Sequence, residues 1–181
     1  FARMWGQQNL PDSSNMCHET TSVGLKSAIG SPVATIQMED YDKCDAIFSF
    51  GQNVATNAPR MLHNLQACAK RGVEIVTFNP LRERGWERFA SPQNPVQMLT
   101  GSSTDISSQY HQVKAGGDIA ALAGLCKHVL HLDAERGRVV DWEFVANHAN
   151  GFDDFKARLA EVSWSEIEQV SGLRRQDLEE V

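Results

Sequence analysis

Cysteine and histidine stand side by side at Cys17 and His18, just ahead of a segment that favours a helix from Glu19 to Ala28. The free N–H groups and the dipole at a helix N-terminus favour a thiolate there. A thiolate is both a nucleophile and a soft metal ligand, and a neighbouring imidazole can move protons. The pair therefore indicates nucleophilic catalysis or metal ligation, although a structural cysteine beside a surface histidine gives the same dipeptide.

Glycines and small polar residues follow three predicted strands, at 46–50, 73–78 and 110–113, at the points where the strands end. These residues are Gly51, Gln52, Asn53 and Asn57 after the first strand, Asn79 and Pro80 after the second, and Gly116, Gly117 and Asp118 after the third. Because parallel strands end at one edge of a sheet, backbone N–H groups and helix N-termini there can bind phosphates. No G-x-G-x-x-G or Walker sequence is present, so the pattern indicates a nucleotide-like ligand without naming it. Glycine and asparagine also turn the chain at strand ends without any ligand.

The helices around these strands have recognisable start and stop signals. Asn57 is predicted to cap a helix that has Pro59 in its first turn and ends at Gly72. Asp118 is predicted to cap another. Between them, residues 82–108 lack periodicity and are predicted to form a long functional or partner-covered loop, with Trp86 as an interface residue.

Further helix signals follow in the last quarter of the chain. Asp141 is predicted to cap a helix that Gly151 ends, and Ser163 begins a predicted capping box. The elements together predict an α/β fold, a Rossmann-like three-layer domain with a parallel sheet plus a small C-terminal helical cluster. We expect residues 1–136 to form the Rossmann-like cofactor-binding domain and residues 137–181 a helical extension of the same domain.

Composition narrows the classes of protein that this chain could represent. The 181 residues are 41% hydrophobic and 22% charged, which suffices for one core, and the net charge of −6 disfavours a nucleic-acid partner. No stretch approaches the roughly 20 apolar residues that a membrane insertion needs. The scattered cysteines, without a C-x-x-C pair, indicate reduced thiols and a cytoplasmic protein. The first residue is not Met and the last lie within a predicted helix, so we expect a fragment of a larger protein.

The run at 9–19, Asn-Leu-Pro-Asp-Ser-Ser-Asn-Met-Cys-His-Glu, followed by Ser-Val-Gly-Leu at 22–25, resembles the molybdenum-site segment of molybdopterin oxidoreductases. Within the dimethyl sulfoxide reductase superfamily, the sequence most resembles formate dehydrogenase alpha subunits. Residues 50–60 are similar to that family's G-x-N-P-x-x-x-x-P segment, with Val54 where proline is common. Residues 79–81 read Asn-Pro-Leu where formate dehydrogenases often have Asp-Pro-Arg.

The resemblance implies a domain that binds one of two molybdopterin guanine dinucleotides of a molybdenum cofactor. Cys17 matches the family's ligand to molybdenum, and His18 matches the histidine that accepts a proton near the metal. Cofactor contacts are implied for Gly51, Gln52, Asn53, Asn57, Asn79, Pro80, Gly116, Gly117 and Asp118.

The resemblance also implies what surrounds this domain. The partners are the remaining domains of the same polypeptide, a small substrate such as formate that is oxidised by two electrons, and an electron acceptor. A [4Fe-4S] cluster would belong to an N-terminal part not present here. We expect the isolated fragment to bind no cofactor and to be inactive. Two alternatives stay open: a free-standing enzyme with Cys17 as nucleophile, and a non-enzymatic nucleotide-binding module.

Overall fold

The computed structural model describes residues 1–10 and 12–181 and divides into two compact units, Phe1–Asp40 and Tyr41–Val181. Pro11, which belongs to the run that carries the resemblance, lies outside the described residues. The first unit contains a 3-10 turn at Ala2–Trp5, a π-helical turn at Ser14–His18 and helix α1 at Glu19–Ile29, and a 3-10 turn at Met38–Asp42 spans the boundary. The predicted helix start at Glu19 is confirmed, and Gly30 ends the helix in the left-handed conformation with φ 77°.

The second unit contains the sheet and the remaining helices. Its strands are β1 (Ala46–Phe50), β2 (Glu74–Phe78), β3 (Arg88–Phe89), β4 (Thr104–Asp105) and β5 (Gln109–His111). Its helices are α2 (Val54–Asn57), α3 (Met61–Arg71), α4 (Arg84–Glu87), α5 (Pro95–Thr100), α6 (Asp118–Arg136), α7 (Trp142–His148), α8 (Phe152–Glu161), α9 (Trp164–Ser171) and α10 (Arg175–Glu179).

The main sheet is parallel, in the order β1-β2-β5, and β3 pairs with β4 in a separate antiparallel ribbon. Both strand pairs of the main sheet, β1 with β2 and β2 with β5, are parallel. Helix α3 connects β1 to β2 as a crossover. The predicted α/β fold with a parallel sheet is thus confirmed.

Successive residues of β2 pack on opposite faces of the sheet, which creates two cores. Ile75 packs with Leu62 and Leu65 of α3 on one face. Val76 and Phe78 pack on the other face, with apolar side chains of α6, α9 and α10. The unit therefore has a helix–sheet–helix arrangement of three layers, because alternate side chains of a central parallel strand are buried on both sides.

The prediction of a long loop at residues 82–108 is wrong. This segment forms α4, β3, α5 and β4, elements that are too short to give a periodic signal. Buried Gln66 of α3 ties the segment down, since its Nε2 donates to Phe89 O at 3.3 Å and to Thr104 Oγ1 at 3.0 Å. Trp86 is 1% exposed and not an interface residue, because its indole Nε1 donates to Gln52 O at 2.6 Å.

The helix caps are partly as predicted. Asp141 and Ser163 accept hydrogen bonds from backbone N–H groups of the helices that follow them, which confirms both caps. Asn57 does not cap α3: an additional turn, α2, ends at Asn57, and the residue before α3 is Arg60.

Two further cap predictions are wrong. Asp118 lies inside α6, and Gly117 occupies the cap position instead. Gly151 is the cap residue of α8, and Ala149 follows the last residue of α7. Across the described helices, none combines the length and apolar character needed to cross a bilayer.

Candidate functional site

The segments that follow the three strands of the main sheet meet at one edge of the second unit. The backbone N–H of Gly51 donates to Phe78 O at 2.9 Å, and that of Asn79 donates to His111 O at 3.0 Å. The end of each strand is therefore bonded to the end of its neighbour. This edge, formed by the carboxyl ends of the strands, is where open parallel sheets bind ligands.

Gly51 offers the most open backbone in the first of these segments. Its φ is 62°, in the left-handed region, and a Cβ placed on it has no heavy atom within 4 Å. The absence of a side chain is thus not explained by packing within the protein, and a ligand can approach the backbone closely. Gln52 beside it is exposed, while its carbonyl is held by the Trp86 indole.

Asn53 connects the first segment to the residues after β2. Its Oδ1 accepts from Thr56 N at 3.1 Å and so caps α2, and its Nδ2 donates to Glu83 Oε2 at 2.9 Å. Half-buried Asn53 therefore orients a carboxylate at the edge. Asn57 is exposed on the last residue of α2 and does not share these contacts.

The second segment is organised by a tyrosine. The hydroxyl of Tyr110 accepts from Glu83 N at 2.9 Å and donates to Leu81 O at 2.7 Å. Asn79 is buried, and its Nδ2 lies 3.5 Å from the same hydroxyl. Pro80 is exposed. The amide of Asn79 therefore faces the protein interior, and the exposed surface here comes from Pro80 and Leu81.

The third segment joins β5 to α6 and contains two glycines of different character. Gly116 has φ 80°, and no heavy atom lies within 4 Å of the position that a Cβ would take. A Cβ on Gly117 would lie 2.8 Å from Ser171 Cα and 2.9 Å from Lys114 O, so packing against the backbone requires glycine there. Asp118 is half-buried in the first turn of the 19-residue α6, where the helix dipole favours its negative charge.

Cys17 and His18 lie in the first unit, in and at the end of the π-helical turn that leads into α1. Cys17 is exposed and its thiol is free. Asn15 braces the turn, since its backbone N–H donates to Asp12 Oδ1 at 3.1 Å and its Nδ2 to Glu19 Oε2 at 2.7 Å. Within the described part of the chain, no three His, Cys, Asp or Glu side chains form a metal-binding group. Cys17 is thus an exposed free thiol in this unit.

The charges at the strand edge are few and mostly engaged. The guanidinium of Arg82 lies 5.3 Å from the centre of the Tyr110 ring, and its Nε is 3.1 Å from Glu87 Oε1. His111 stacks on Phe78 at 5.0 Å, and burial lowers the pKa of its imidazole, partly offset by Asp177 and Glu180. The edge is thus suited to a ligand that is bound by backbone groups, side-chain amides and the carboxylates of Glu83 and Asp118.

Two residues of this edge are not singled out by the sequence pattern. Glu83 reads as part of a solvated face together with the basic residues around it, and Tyr110 reads only as a strand residue. An acidic residue a few positions beyond a second parallel strand is a known signal of ribose recognition and could have singled out Glu83. Tyr110 carries no such local signal, because its role depends on contacts 27 to 31 residues away.

Comparison with known proteins places this geometry in context. A scan against protein-family models gives no match. The chain is 45% identical, over its full length, to Protein YdeP of Escherichia coli strain K12, and this alignment covers 24% of that protein. It is 26% identical, over 91% of its length, to the F420-dependent formate dehydrogenase 1 subunit alpha of Methanococcus maripaludis, covering 21% of that subunit. The resemblance to formate dehydrogenase alpha subunits is confirmed.

A solved structure supports the fold. Acetylene hydratase from Pelobacter acetylenicus superposes with a TM-score of 0.69 over 98% of this chain, at 20% identity, and the match covers 21% of that enzyme. This similarity shows a shared fold. The chain spans about a quarter of the length of the curated relatives it matches first.

Proposed function

We propose that this chain is the internal cofactor-binding domain of a molybdenum-dependent oxidoreductase that resembles formate dehydrogenase. The whole enzyme would oxidise formate, or a related small substrate, by two electrons. The cofactor would be a molybdenum centre with two molybdopterin guanine dinucleotides, one of which this domain holds. The 181-residue chain alone is expected to be inactive, since about three quarters of the relatives' length lies outside it.

The observation that carries the proposal is the position of two open glycine turns at the carboxyl ends of parallel strands. Gly51 and Gly116 both have positive φ and both leave the space of a Cβ empty, in segments that follow two strands of a parallel sheet. Buried pyrophosphates are bound well by backbone N–H groups, which such glycine turns expose. The similarity to formate dehydrogenases supports a molybdopterin cofactor.

The residues of the edge fit a guanine dinucleotide in chemical type. Glu83, held by Asn53, presents a carboxylate that can accept hydrogen bonds from ribose hydroxyls or from guanine N–H groups. Gln52 and Asp118 extend this set of acceptors and donors on either side. Asn79 would act by supporting Tyr110, since its side chain is buried against that hydroxyl.

The chemistry of the substrate would depend on Cys17 and His18. When bound, the molybdenum centre supplies a two-electron acceptor. Cys17 would ligate it through a thiolate, for which an exposed free thiol is suited. Oxidation of formate to carbon dioxide breaks the C–H bond and releases two electrons and one proton, and the imidazole of His18 would accept the proton.

Several parts of the proposal concern the whole protein and not this chain alone. An N-terminal [4Fe-4S] cluster, an electron acceptor, a cytoplasmic location and the choice of substrate are part of the proposal for the whole protein. The test is the molybdenum content of the longest polypeptide that contains this chain, measured by inductively coupled plasma mass spectrometry. Wild type should contain molybdenum, Cys17→Ala should lose most of it, and Cys44→Ala should retain it as a matched cysteine control.

Two measurements on the 181-residue chain address the alternatives. Rapid alkylation of Cys17 by iodoacetamide, with hydrolytic or transfer activity that Cys17→Ala abolishes, would favour a free-standing nucleophile enzyme. Micromolar binding of guanine nucleotides in calorimetry, by a polypeptide that never contains molybdenum, would favour a nucleotide-binding module.

A further inference from the structure

An apolar groove lies between strand β1 and helix α6, on the face of the sheet opposite α3. Its volume is about 570 Å³. Its lining is mostly apolar and comes from Phe48 and Phe50 of β1, from Leu122, Leu125, His128, Val129 and Leu132 of α6, and from residues 178–181 at the C-terminal end. Phe48 is 49% exposed and Leu122 42% exposed, so large apolar side chains that line the groove are open to solvent. Such a contiguous apolar surface marks an interaction site.

The groove lies beside an open edge of the sheet. Strand β1 has β2 on one side and no strand on the other within Tyr41–Val181. The backbone of Asp45 accepts from Glu74 and that of Gly51 donates to Phe78, so the odd-numbered residues of β1 face β2. The N–H groups of Ala46, Phe48 and Phe50 therefore point away from β2, toward the open edge.

Strand β1 has none of the features by which proteins protect a permanently free edge. Its sequence, Ala-Ile-Phe-Ser-Phe, contains no charged residue and no proline, and its pairing with β2 is regular without a bulge. Free edges are normally protected by lysine, proline, bulges or short strands. A regular apolar edge beside an apolar groove is therefore a surface for another strand.

We propose that a β-strand from the remainder of the longer polypeptide pairs with β1 in parallel and packs its apolar side chains into the groove. This inference rests on the part of the proposed function that places the chain within a longer protein. The first relatives are about four times as long as this chain, so a longer polypeptide of that size has additional segments from which the docked strand can come. A second copy fits less well, because a two-fold axis would pair β1 antiparallel to itself, whereas every strand pair of this sheet is parallel.

The test is amide hydrogen exchange with residue resolution, on the 181-residue chain and on the longest polypeptide that contains it. The outward amides of Phe48 and Phe50 should exchange at least about tenfold more slowly in the longer polypeptide. The amide of Val76, in the central strand, serves as the internal control and should be slow in both. Equal rates at Phe48 in the two proteins would overturn the proposal. Slowing that appears in the 181-residue chain as its concentration rises would assign the edge to a second copy and overturn it as well.

A pair of variants in the longer polypeptide tests the groove itself. Phe48→Lys should restore fast exchange at Phe50, while Val96→Lys, at an exposed apolar residue of α5, should leave it slow. Molybdenum content measured on the same samples separates the two proposals. Slow exchange at Phe48 and Phe50 in a polypeptide without molybdenum contradicts the cofactor proposal alone. Fast exchange at these amides in a polypeptide that contains molybdenum contradicts the docked strand alone.

Discussion

Replacing Gly51 by alanine distinguishes a glycine that faces a ligand from one that only turns the chain. The new Cβ meets no heavy atom within 4 Å, so the folded chain has no steric clash to accommodate. What remains is the cost of the left-handed conformation at φ 62°, about 1–2 kcal/mol for a residue with a Cβ. Gly101→Ala is a matched control, since Gly101 has φ 69° and equally open surroundings at the end of α5.

Both variants should therefore lose the same stability. In urea unfolding of the 181-residue chain, each should lower the free energy of unfolding by about 1–2 kcal/mol with an unchanged m-value. Their effects on the cofactor should differ, because a methyl group forced against a closely bound pyrophosphate costs about 1–3 kcal/mol. Gly51→Ala should thus weaken cofactor retention by roughly 5- to 150-fold, and Gly101→Ala should not.

The assay is the guanine nucleotide released by acid hydrolysis of the longer polypeptide, after dialysis for increasing times. Loss of nucleotide from Gly51→Ala and retention by Gly101→Ala would support the proposed contact. Equal retention by the two variants, with equal stability, would refute the idea that the space beside Gly51 belongs to a ligand.

Two further predictions concern the stability of the second unit. Burial lowers the pKa of His111, so the unfolded chain binds more protons below its ordinary pKa of about 6.5. The free energy of unfolding should therefore fall as the pH decreases through that range. Urea unfolding at about pH 7 and about pH 5 should show a smaller fall for His111→Asn than for wild type, and an unchanged fall in His111→Asn would contradict the prediction. Gln66→Leu removes a buried amide that donates to Phe89 O and Thr104 Oγ1. It should lower the free energy of unfolding by about 1–3 kcal/mol, compared with about 0.5 kcal/mol or less for exposed Gln176→Leu, and equal effects would exclude a role for this amide.

The features that the sequence predicted well are those with local causes. Strand β1 has the predicted bounds because a short apolar run is followed at once by Gly51. The caps at Asp141 and Ser163 were predictable because each side chain bonds a backbone N–H only three residues further along.

The features that could not be predicted depend on residues distant in the chain. Trp86 is buried because its indole reaches a carbonyl 34 residues earlier, and Glu83 is oriented by Asn53 from 30 residues away. Gly117 resembles a ligand contact by its position, but its surroundings are the backbone of Ser171 and Lys114. Spacing alone could not separate Gly117 from Gly51, because the difference lies in what occupies the space of a Cβ.

The most direct test of the proposed cofactor domain is the molybdenum content of the longest polypeptide that contains this chain. Purified wild type, Cys17→Ala and Cys44→Ala should be compared under conditions in which all three are folded and matured. We expect molybdenum in wild type and Cys44→Ala, and a loss of most of it in Cys17→Ala. Molybdenum that is absent from an active wild type, or that Cys17→Ala retains in full, would contradict the proposal.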